Sequence, residues 1–553
     1  MSSKHFVLVF TILSSTIFYS CNKSKKENAY NQAILNAIDS VVHTQHFKND
    51  LREKELQATL ESFYQKRQNK NAWLGNEKNK NGLEQLLNFI RNTKLDGLQP
   101  ETYHFSELNN LFNEYNKRLK EKKIKKMIAP DSLAKLEVQA SASYLLLVSH
   151  LVHGRIESGD STWQKQKRFV DLESSLQKTV NENKVLVNLQ ELVPRTRNYI
   201  LLKQKLKQYR KIQKEGGWKK IPVNLKIGYK SPSVILLKKR LAISFTTKNQ
   251  DLGNDNFDES VQNAVKKYQL LYGLPQTGEV DDRTRKSMNK TAETRVAQIE
   301  INLERMRWLP GKRATNAIVV NLPEYALRVY KGEVEMMKMR VIIGDEVKAT
   351  PIMRDTLQYL VFSPTWTVPK SIMIKEMLPQ IKRRPNYFET HDLEVYTSYS
   401  RKAIPIDPET VDWQEVTPEN FNYRFVQRPG SENPLGLVKF MFPNKMSIYL
   451  HDSPGKNLFN ADKRTMSHGC VRIEKPFDLA MYVLSDQPKF DSTNIDSFMH
   501  IGVPKDVIVH QKFEIRFTYY TTFVDAEGNL NFRSDIYHHD EKQLEQVKEV
   551  VGL

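Results

Sequence analysis

The spacing of apolar residues divides the chain into a helical first part and a strand-rich second part. Between residues 29 and 228, Leu-, Lys-, Gln- and Glu-rich stretches repeat their apolar positions at helical intervals. Residues 144–155 form a strongly apolar stretch, which predicts a buried helix that ends near Gly154. The pattern therefore predicts a helical scaffold domain over residues 29–228.

Residues 229–290 have the pattern of a small separate unit of three helices. A Ser-Pro pair at residues 231–232 opens an amphipathic helix, a second helix is predicted over residues 257–269, and a loop with two glycines leads to a last short helix. This order resembles the small three-helix peptidoglycan-binding module. The core positions of that module would be filled by Phe257, Val261, Val265, Tyr268 and Leu274. A helical connector is predicted over residues 291–312.

Short runs of β-branched and aromatic residues replace the helical pattern after residue 313. Strands are predicted at residues 317–322, 326–330, 339–344, 360–369, 423–427, 436–442 and 446–451. A segment over about residues 372–412, helical at first and then rich in Pro, Tyr and charge, is interpreted as an insertion. These features predict a mostly-β domain over residues 313–512 and a tail over residues 513–553. The fold class is thus predicted to be multi-domain α+β.

The N-terminal residues have the pattern of an export signal. Lys4 and His5 precede an apolar run over residues 6–18, which is too short to span a membrane as a helix. The cysteine that follows resembles a lipobox. Residues 1–20 are therefore predicted to be removed, and Cys21 to become the lipidated first residue of the mature protein. A plain signal peptide with an incidental cysteine is the alternative.

Charge and cysteine content narrow the functions further. The formal net charge of +20 suits an anionic partner such as nucleic acid, a lipid surface or a wall polymer, although solvated basic helix surfaces explain it as well. Export and the lack of an interleaved basic and aromatic motif argue against nucleic acid. If Cys21 is lipidated, Cys470 is the remaining thiol. A lone thiol in an oxidising compartment is better explained by reactivity than by packing.

The residues around Cys470 have the arrangement that a cysteine nucleophile needs. A predicted strand ends at His451, and a loop returns to the sequence Ser467-His468-Gly469-Cys470. A thiol becomes a strong nucleophile when a neighbouring imidazole takes its proton. Gly469 allows a tight turn and leaves backbone N–H groups near Cys470 free to hold an oxyanion. These residues are the candidate catalytic centre.

Arg472 extends this centre, because in an extended segment it shares a face with Cys470 and is suited to bind a carboxylate. Together, His451 and residues 467–472 resemble the His…[Ser/Thr]-His-Gly-Cys signature of the L,D-transpeptidases. The resemblance extends over about residues 316–511. The order of helical scaffold, peptidoglycan-binding module and catalytic domain is similar to the long, multi-domain form of that family, in which Arg also replaces the more usual Asn at the position of Arg472.

The resemblance implies a reaction on the cell wall. Cys470 would attack the carbonyl of the third residue of a peptidoglycan tetrapeptide stem, usually meso-diaminopimelate. The terminal D-Ala would leave and a thioester would form. The side-chain amine of a second stem would then resolve the thioester and make a cross-link.

The resemblance also implies roles for the surrounding residues. His451 would act as the general base or as the imidazolium partner of the thiolate. Residues 467–469 would shape the nucleophile loop, and backbone groups near Tyr449 and Cys470 would bind the oxyanion. Arg472 would position the stem. The insertion would be a lid over the substrate cleft.

Several alternatives stay open. Trp366 is interpreted either as a substrate platform or as a core residue. His451, His468 and Cys470 include possible Zn²⁺ ligands, but no additional closely paired ligands stand out, so we expect no metal and no cofactor. A wall-binding lipoprotein with an inert catalytic domain is the rival class of function. Water, a protein or a free D-amino acid could also replace the second stem as acceptor.

The expected partners follow from these interpretations. They are peptidoglycan stem peptides and glycan, together with a membrane that holds a lipid on Cys21. We expect no nucleic acid partner and a location on the periplasmic side of the cell envelope. The sequence leaves the oligomeric state open.

Overall fold

The computed structural model describes residues 27–47, 50–74, 77–120, 128–156, 163, 169–245, 252–308, 313–400 and 402–551. Cys21 and the predicted export signal lie outside the described residues. Within these ranges, no helix combines the length and the apolar character that a membrane span needs.

The first part of the chain is a helical domain built around one long buried helix. Its helices are α1 (residues 27–44), α2 (Glu53–Lys66), α3 (Glu77–Asn92), α4 (Phe105–Lys120), α5 (Pro130–His153), α6 (Leu172–Glu182) and α7 (Val185–Leu192). Helix α5 starts with Pro130, which suits the first helical turn, and α2, α3, α4, α6 and α7 pack around it. It ends at Gly154, with a φ of +77°, as the apolar pattern predicts.

Five further helices form a second core. They are α8 (Arg197–Lys214), α9 (Pro232–Ser244), α10 (Glu259–Leu271), α11 (Asp282–Met288) and α12 (Ala292–Trp308). Side chains of Ser231, Asp258 and Asp281 cap the first turns of α9, α10 and α11, which explains where these helices begin. Of the five predicted core residues of this unit, four are buried and Leu274 is partly buried.

Helix α8 departs from the predicted division of the chain. It lies inside the stretch predicted as one scaffold domain over residues 29–228. Yet its apolar side chains Tyr199, Leu202 and Leu206 pack into the second core, whereas the first core has its last member at Leu189. Helix α8 packs along α12. Helical periodicity alone does not say which core a helix joins, so the sequence could not separate the two.

A closed β-sheet forms the third part of the molecule. In chain order, the strands after α12 are β1 (Asn316–Asn321), β2 (Ala326–Lys331), β3 (Val334–Gly344), β4 (Arg354–Phe362), β5 (Trp366–Thr367), β6 (Leu393–Tyr396), β7 (Pro405–Ile406), β8 (Arg424–Gln427), β9 (Val438–Met441), β10 (Leu450–His451), β11 (Thr465–Ser467), β12 (Val471–Ile473), β13 (Lys505–Thr518), β14 (Thr522–Val524) and β15 (Leu530–Phe532). The main sheet has the order β11-β3-β12-β10-β9-β4-β13-β1-β2, and an additional pairing of β2 with β3 closes it. The strand predictions thus indicate the correct mostly-β class for this region.

An inserted subdomain interrupts the main sheet and is larger than the predicted insertion over residues 372–412. It contains a separate sheet of order β5-β8-β6-β7, a short helix α13 (Lys370–Ile372), a π-helical turn (Met373–Met377), and helices α14 (Leu378–Ile381) and α15 (Tyr387–Thr390). The predicted strand at residues 423–427 belongs to this sheet and not to the main one, because β8 pairs with β5 and β6 and buries Phe425 in the subdomain's own core. The inserted subdomain therefore spans about residues 366–427.

The C-terminal residues are part of the folded body, which corrects the predicted tail over residues 513–553. The boundary at residue 512 cuts β13, and Phe513, Ile515 and Phe517 are buried in the core of the main sheet. Their alternation with Glu514 and Arg516 is the two-residue period of a β-strand. The hairpin β14–β15 then packs on the second core, and the C-terminal helix α18 follows. The last helices are α16 (Pro476–Val483), α17 (Ser492–Met499) and α18 (His539–Val551).

Candidate active site

Two neighbouring strands of the main sheet carry the predicted catalytic residues. Strands β10 and β12 are parallel, with Leu450 beside Val471 and His451 beside Arg472. Leu450 and Val471 are fully buried in the core. Because side chains alternate along a strand, His451 and Arg472 lie on the other face, and Cys470 precedes them on the same face. The register thus brings the three residues together at one end of β10 and β12.

The nucleophile loop is fixed by side chains that bind its backbone. Ser467 Oγ donates a hydrogen bond to the carbonyl oxygen of Cys470 at 2.5 Å. Thr350 Oγ1 donates to the carbonyl oxygen of Gly469 at 2.7 Å and accepts from the N–H of Gly344 at 2.8 Å. Gly469 has a φ of +114°, a backbone conformation that strains any residue with a Cβ. Ser467 and Gly469 therefore fix the backbone conformation of the loop that carries Cys470.

The Cys470 thiol is half-buried and protonated in its resting state. Its Sγ lies 3.7 Å from the carbonyl oxygen of Ser447. Burial raises the pKa of the thiol, and hydrogen bonds from the backbone and hydroxyl of Tyr449, together with the charge of Lys439, act in the opposite direction. A thiol in this state needs a base that removes its proton during attack.

The surroundings of His451 keep its imidazole neutral. The ring is buried, and its Nδ1 lies 2.6 Å from the carbonyl oxygen of Asp452. That contact requires a proton on Nδ1, which leaves Nε2 as the acceptor. Burial, followed by the charge of Arg472, lowers the pKa of His451 to about 3. The sequence left open whether this residue is a neutral base or an imidazolium partner, and these surroundings favour the neutral form.

A short loop after β10 holds His451 in place. The Asp452 carboxylate accepts hydrogen bonds from the N–H groups of Leu437 and Ser453, at 2.9 and 2.7 Å, and forms an ion pair with Lys456. Gly436 has a φ of +59°, and a Cβ at this position would lie 2.4 Å from Asp452. This close approach requires glycine.

Two basic side chains flank His451, and the sequence interpretation missed one of them. Arg472 is half-buried, and within the described ranges its Nε has no hydrogen-bond partner. Lys439 lies on the other side, because β9 places it directly opposite His451. The only available signal was its position between two buried apolar residues, Val438 and Phe440, which alone does not distinguish a site residue from a surface lysine.

The remaining predicted residues lie at the inserted subdomain. His468 Nε2 lies 2.8 Å from Glu376 Oε1, in the π-helical turn, and Lys348 Nζ lies 3.7 Å from the same oxygen. Trp366 is in β5, where it pairs with Gln427 and packs half-buried against the core of the inserted subdomain. His468 therefore joins the nucleophile loop to the inserted subdomain, and Trp366 belongs to the subdomain itself.

The orientation of the histidines bears on the alternative of a zinc site. Nδ1 of His451 is occupied by a carbonyl oxygen and Nε2 of His468 by a carboxylate. In the part of the chain that the structure describes, no group of three or more His, Cys, Asp or Glu residues could hold a metal ion.

Three stretches of the chain match the models of known protein families. Residues 315–496 match the L,D-transpeptidase catalytic domain, residues 58–206 match a scaffold domain, and residues 230–288 match a peptidoglycan-binding domain. The chain therefore contains an L,D-transpeptidase catalytic domain, a peptidoglycan-binding domain and a scaffold domain in one polypeptide.

A curated relative and two solved structures are similar to parts of the chain. A Haemophilus influenzae protein named "Putative L,D-transpeptidase" is 32% identical over 249 residues, which are 45% of this chain and 49% of that protein. The chain thus spans about half the length of this relative. An L,D-transpeptidase structure from Xylanimonas cellulosilytica matches with 13% identity and a TM-score of 0.18, over 54% of this chain and 98% of that one. A fused Zn-dependent amidase, peptidase and peptidoglycan-binding protein from Clostridium acetobutylicum matches with 12% identity and a TM-score of 0.15, over 54% and 99%. These TM-scores are too low to establish a shared fold.

Proposed function

We propose that the protein is a cell-wall L,D-transpeptidase with Cys470 as nucleophile and His451 as general base. The observation that carries the proposal is the register of β10 and β12, which puts a protonated thiol, a neutral imidazole and a guanidinium on one face of the sheet. The matched catalytic and peptidoglycan-binding domains support a wall substrate.

In the first half of the reaction, His451 Nε2 takes the proton of the Cys470 thiol while the sulfur attacks the carbonyl carbon of the stem's third residue. An S–C bond forms and the carbonyl oxygen becomes an oxyanion, which backbone N–H groups near Cys470 and Tyr449 bind. When the oxyanion collapses, the C–N bond to D-Ala breaks. The imidazolium gives its proton to the leaving amine, and a thioester remains.

In the second half, the side-chain amine of another stem attacks the thioester carbonyl and loses a proton to His451. The C–S bond breaks, an amide forms, and the proton returns to the sulfur. The imidazolium formed in each half gives its proton back readily, because burial of His451 disfavours the charged ring.

Arg472 and the inserted subdomain serve substrate binding in this proposal. The guanidinium is half-buried, and within the described residues its Nε has no hydrogen-bond partner. A substrate carboxylate would supply that partner and a counter-charge. The contact of Glu376 with His468 lets the inserted subdomain act as a lid next to the nucleophile loop. A closed lid would exclude water and favour an amine acceptor over hydrolysis.

The test is intact-protein mass spectrometry of the mature chain without its lipid (residues 22–553), incubated with a disaccharide-tetrapeptide. We expect the wild-type protein to gain the mass of the stem minus D-Ala, and Cys470→Ala to gain none while keeping the same circular dichroism spectrum. Products linked between two third residues would identify a second stem as the acceptor. Protein, water or a free D-amino acid as acceptor would instead give a different second product from the same thioester.

The rival function is a wall-binding lipoprotein with an inert catalytic domain. It would be supported if a folded wild-type protein bound wall fragments but formed no adduct with the tetrapeptide or with a carbapenem. That result would contradict the proposed transpeptidase activity.

The catalytic and peptidoglycan-binding domains indicate a location outside the cytoplasm. We further propose that residues 1–20 are removed and that a lipid on Cys21 holds the protein to a membrane on the periplasmic side. Cell fractionation of Cys21→Ala tests this anchor. The variant should move from the membrane fraction to the soluble extracytoplasmic fraction, and retention in the membrane fraction would contradict the anchor.

A further inference from the structure

A row of three polar side chains crosses the main sheet at the catalytic centre. In this row Lys439 of β9 lies opposite His451 of β10, and His451 lies beside Arg472 of β12. Neighbouring strands are about 4.8 Å apart, so each cation is next to the imidazole on one side. The catalytic base is therefore placed between two positive charges.

Lys439 is held in this row by the packing of its own strand. Val438 and Phe440, on either side of it, are fully buried, which turns the lysine to the face that carries the site. Its Nζ lies 5.9 Å from the centroid of the Tyr449 ring, and that ring lies 5.6 Å from the ring of His451. The Tyr449 ring thus lies next to both the ammonium and the imidazole.

No acidic side chain neutralises this ammonium at short range. Among the ion pairs that the described residues form within 4.0 Å, none includes Lys439. Burial lowers the pKa of Lys439. Two negative groups act in the opposite direction, namely the Cys470 thiolate and the exposed Asp506 carboxylate on β13. Strand β4 lies between β13 and the strand of Lys439. A half-buried cation without a close counter-charge attracts an anion that forms beside it.

The anion that forms beside it is the Cys470 thiolate, followed by the oxyanion of the bound substrate. The Lys439 charge opposes the rise in the pKa of Cys470 and contributes to the fall in the pKa of His451. One ammonium therefore favours the charged thiolate and disfavours a charged imidazolium.

We propose that Lys439 is a positioning residue whose ammonium stabilises the negative charge on the Cys470 sulfur once the thiol proton has passed to His451 Nε2. The proposal rests on the transpeptidase function argued above and adds a residue that acts through the nucleophile. Lys439 forms no bond to substrate in this role, and its contribution is the electrostatic field at the sulfur.

The test is the rate of Cys470 alkylation by iodoacetamide as a function of pH, in the mature chain without its lipid. The chain has two cysteines, and Cys21 is absent from residues 22–553, so Cys470 is the single thiol that can react. In Lys439→Met we expect alkylation at pH 7 to slow by about tenfold and the profile to move to higher pH, because a nearby charge is removed. Lys439→Arg should restore a profile close to that of the wild type.

Lys445→Met is the matched control, because it removes an exposed lysine from the turn before β10. It should alkylate like the wild type. If the Lys439→Met profile coincides with that of Lys445→Met, the proposal is overturned. If Lys439→Met does not fold by circular dichroism, Lys439→Gln replaces it and the same comparison decides.

This experiment also separates failure of the inference from failure of the proposed function. Alkylation needs no peptidoglycan, so it reports the electrostatic role even in an inert enzyme. Absence of a tetrapeptide adduct together with a shifted alkylation profile would contradict the transpeptidase activity and keep the role of Lys439. A normal adduct with an unshifted profile would support the transpeptidase activity and contradict the role of Lys439.

Discussion

Arg472 lies directly beside His451 on two parallel strands, so that a half-buried guanidinium faces the buried imidazole. Burial and then this guanidinium lower the pKa of His451 to about 3, against an ordinary value of 6.5. Near neutral pH the imidazole of His451 is therefore held in its uncharged form. The stability of the protein must depend on pH as a consequence.

The first prediction concerns that pH dependence. The unfolded chain binds a proton at His451 near pH 6.5, whereas the folded chain does not until about pH 3. The stabilisation is thus fully present above pH 6.5 and is lost as the pH falls towards 3. Between pH 7 and pH 4 we expect a loss on the order of 3 kcal/mol from this group.

Urea unfolding of wild-type protein and His451→Asn at both pH values measures this loss. All other groups titrate in both proteins, so the difference between the two pH dependences belongs to His451. The wild type should lose more stability than the variant on acidification. Equal losses would show that the folded pKa of His451 is not depressed.

The second prediction tests the loop that holds His451. In Gly436→Ala the new Cβ would meet Asp452 at 2.4 Å in a left-handed backbone conformation, so the loop must shift. We expect acylation by tetrapeptide to slow by about tenfold or more, because general bases act only within hydrogen-bonding reach. Gly430→Ala is the control, since a Cβ there meets no atom within 4 Å.

The acylation rate of both glycine variants is measured by mass spectrometry of the acyl-enzyme in samples quenched at successive times. Iodoacetamide alkylation at high pH, where the thiol ionises without a base, should remain similar in both. Equal acylation rates for the two variants would mean that the Gly436 loop does not position the base.

The third prediction separates binding from chemistry at Arg472. Arg472→Met keeps a long side chain but removes the carboxylate partner, so we expect KM for the tetrapeptide to rise by about tenfold with a smaller change in kcat. Steady-state release of D-Ala gives both constants. A fall in kcat at constant KM would contradict a stem-binding role and assign the residue to the chemical step.

The candidate residues that the sequence can single out are those whose proposed role is local in the chain. The Ser-His-Gly-Cys segment and the strand-end His451 can be recognised because loop shape and nucleophile are encoded within a few residues. Lys439 could not be recognised, since its place opposite His451 comes from pairing between β9 and β10, and pairing is a long-range property. His468 similarly became a contact of the inserted subdomain only through Glu376, which lies 92 residues away.

Packing departs from the predicted domain limits where one pattern crosses a boundary. Helix α8 has the same periodicity as the helices before it, but Tyr199 packs with the second core. The strand at residues 423–427 has a normal β pattern, yet its partners are in the inserted subdomain. Periodicity identifies the type of an element, while the surface that an element meets is decided by packing.

The last prediction concerns the junction between the scaffold helix α5 and helix α12. The fully buried Glu304 carboxylate accepts the backbone N–H of Arg155 at 2.5 Å, lies 3.1 Å from the Arg155 guanidinium, and forms an ion pair with Arg307. These arginines lower the pKa of Glu304 well below its usual range, so the carboxylate is charged. Glu304→Gln would remove the counter-charge that these two buried guanidinium groups share. Removal of one partner from a buried ion pair costs about 3–5 kcal/mol, and we expect a loss of that size in urea unfolding.

Glu300→Gln, one turn earlier on α12, breaks only a partly exposed pair with Arg210 and should cost less than about 1 kcal/mol. If both variants lost the same small amount, the buried cluster would not join the scaffold to the catalytic half of the molecule.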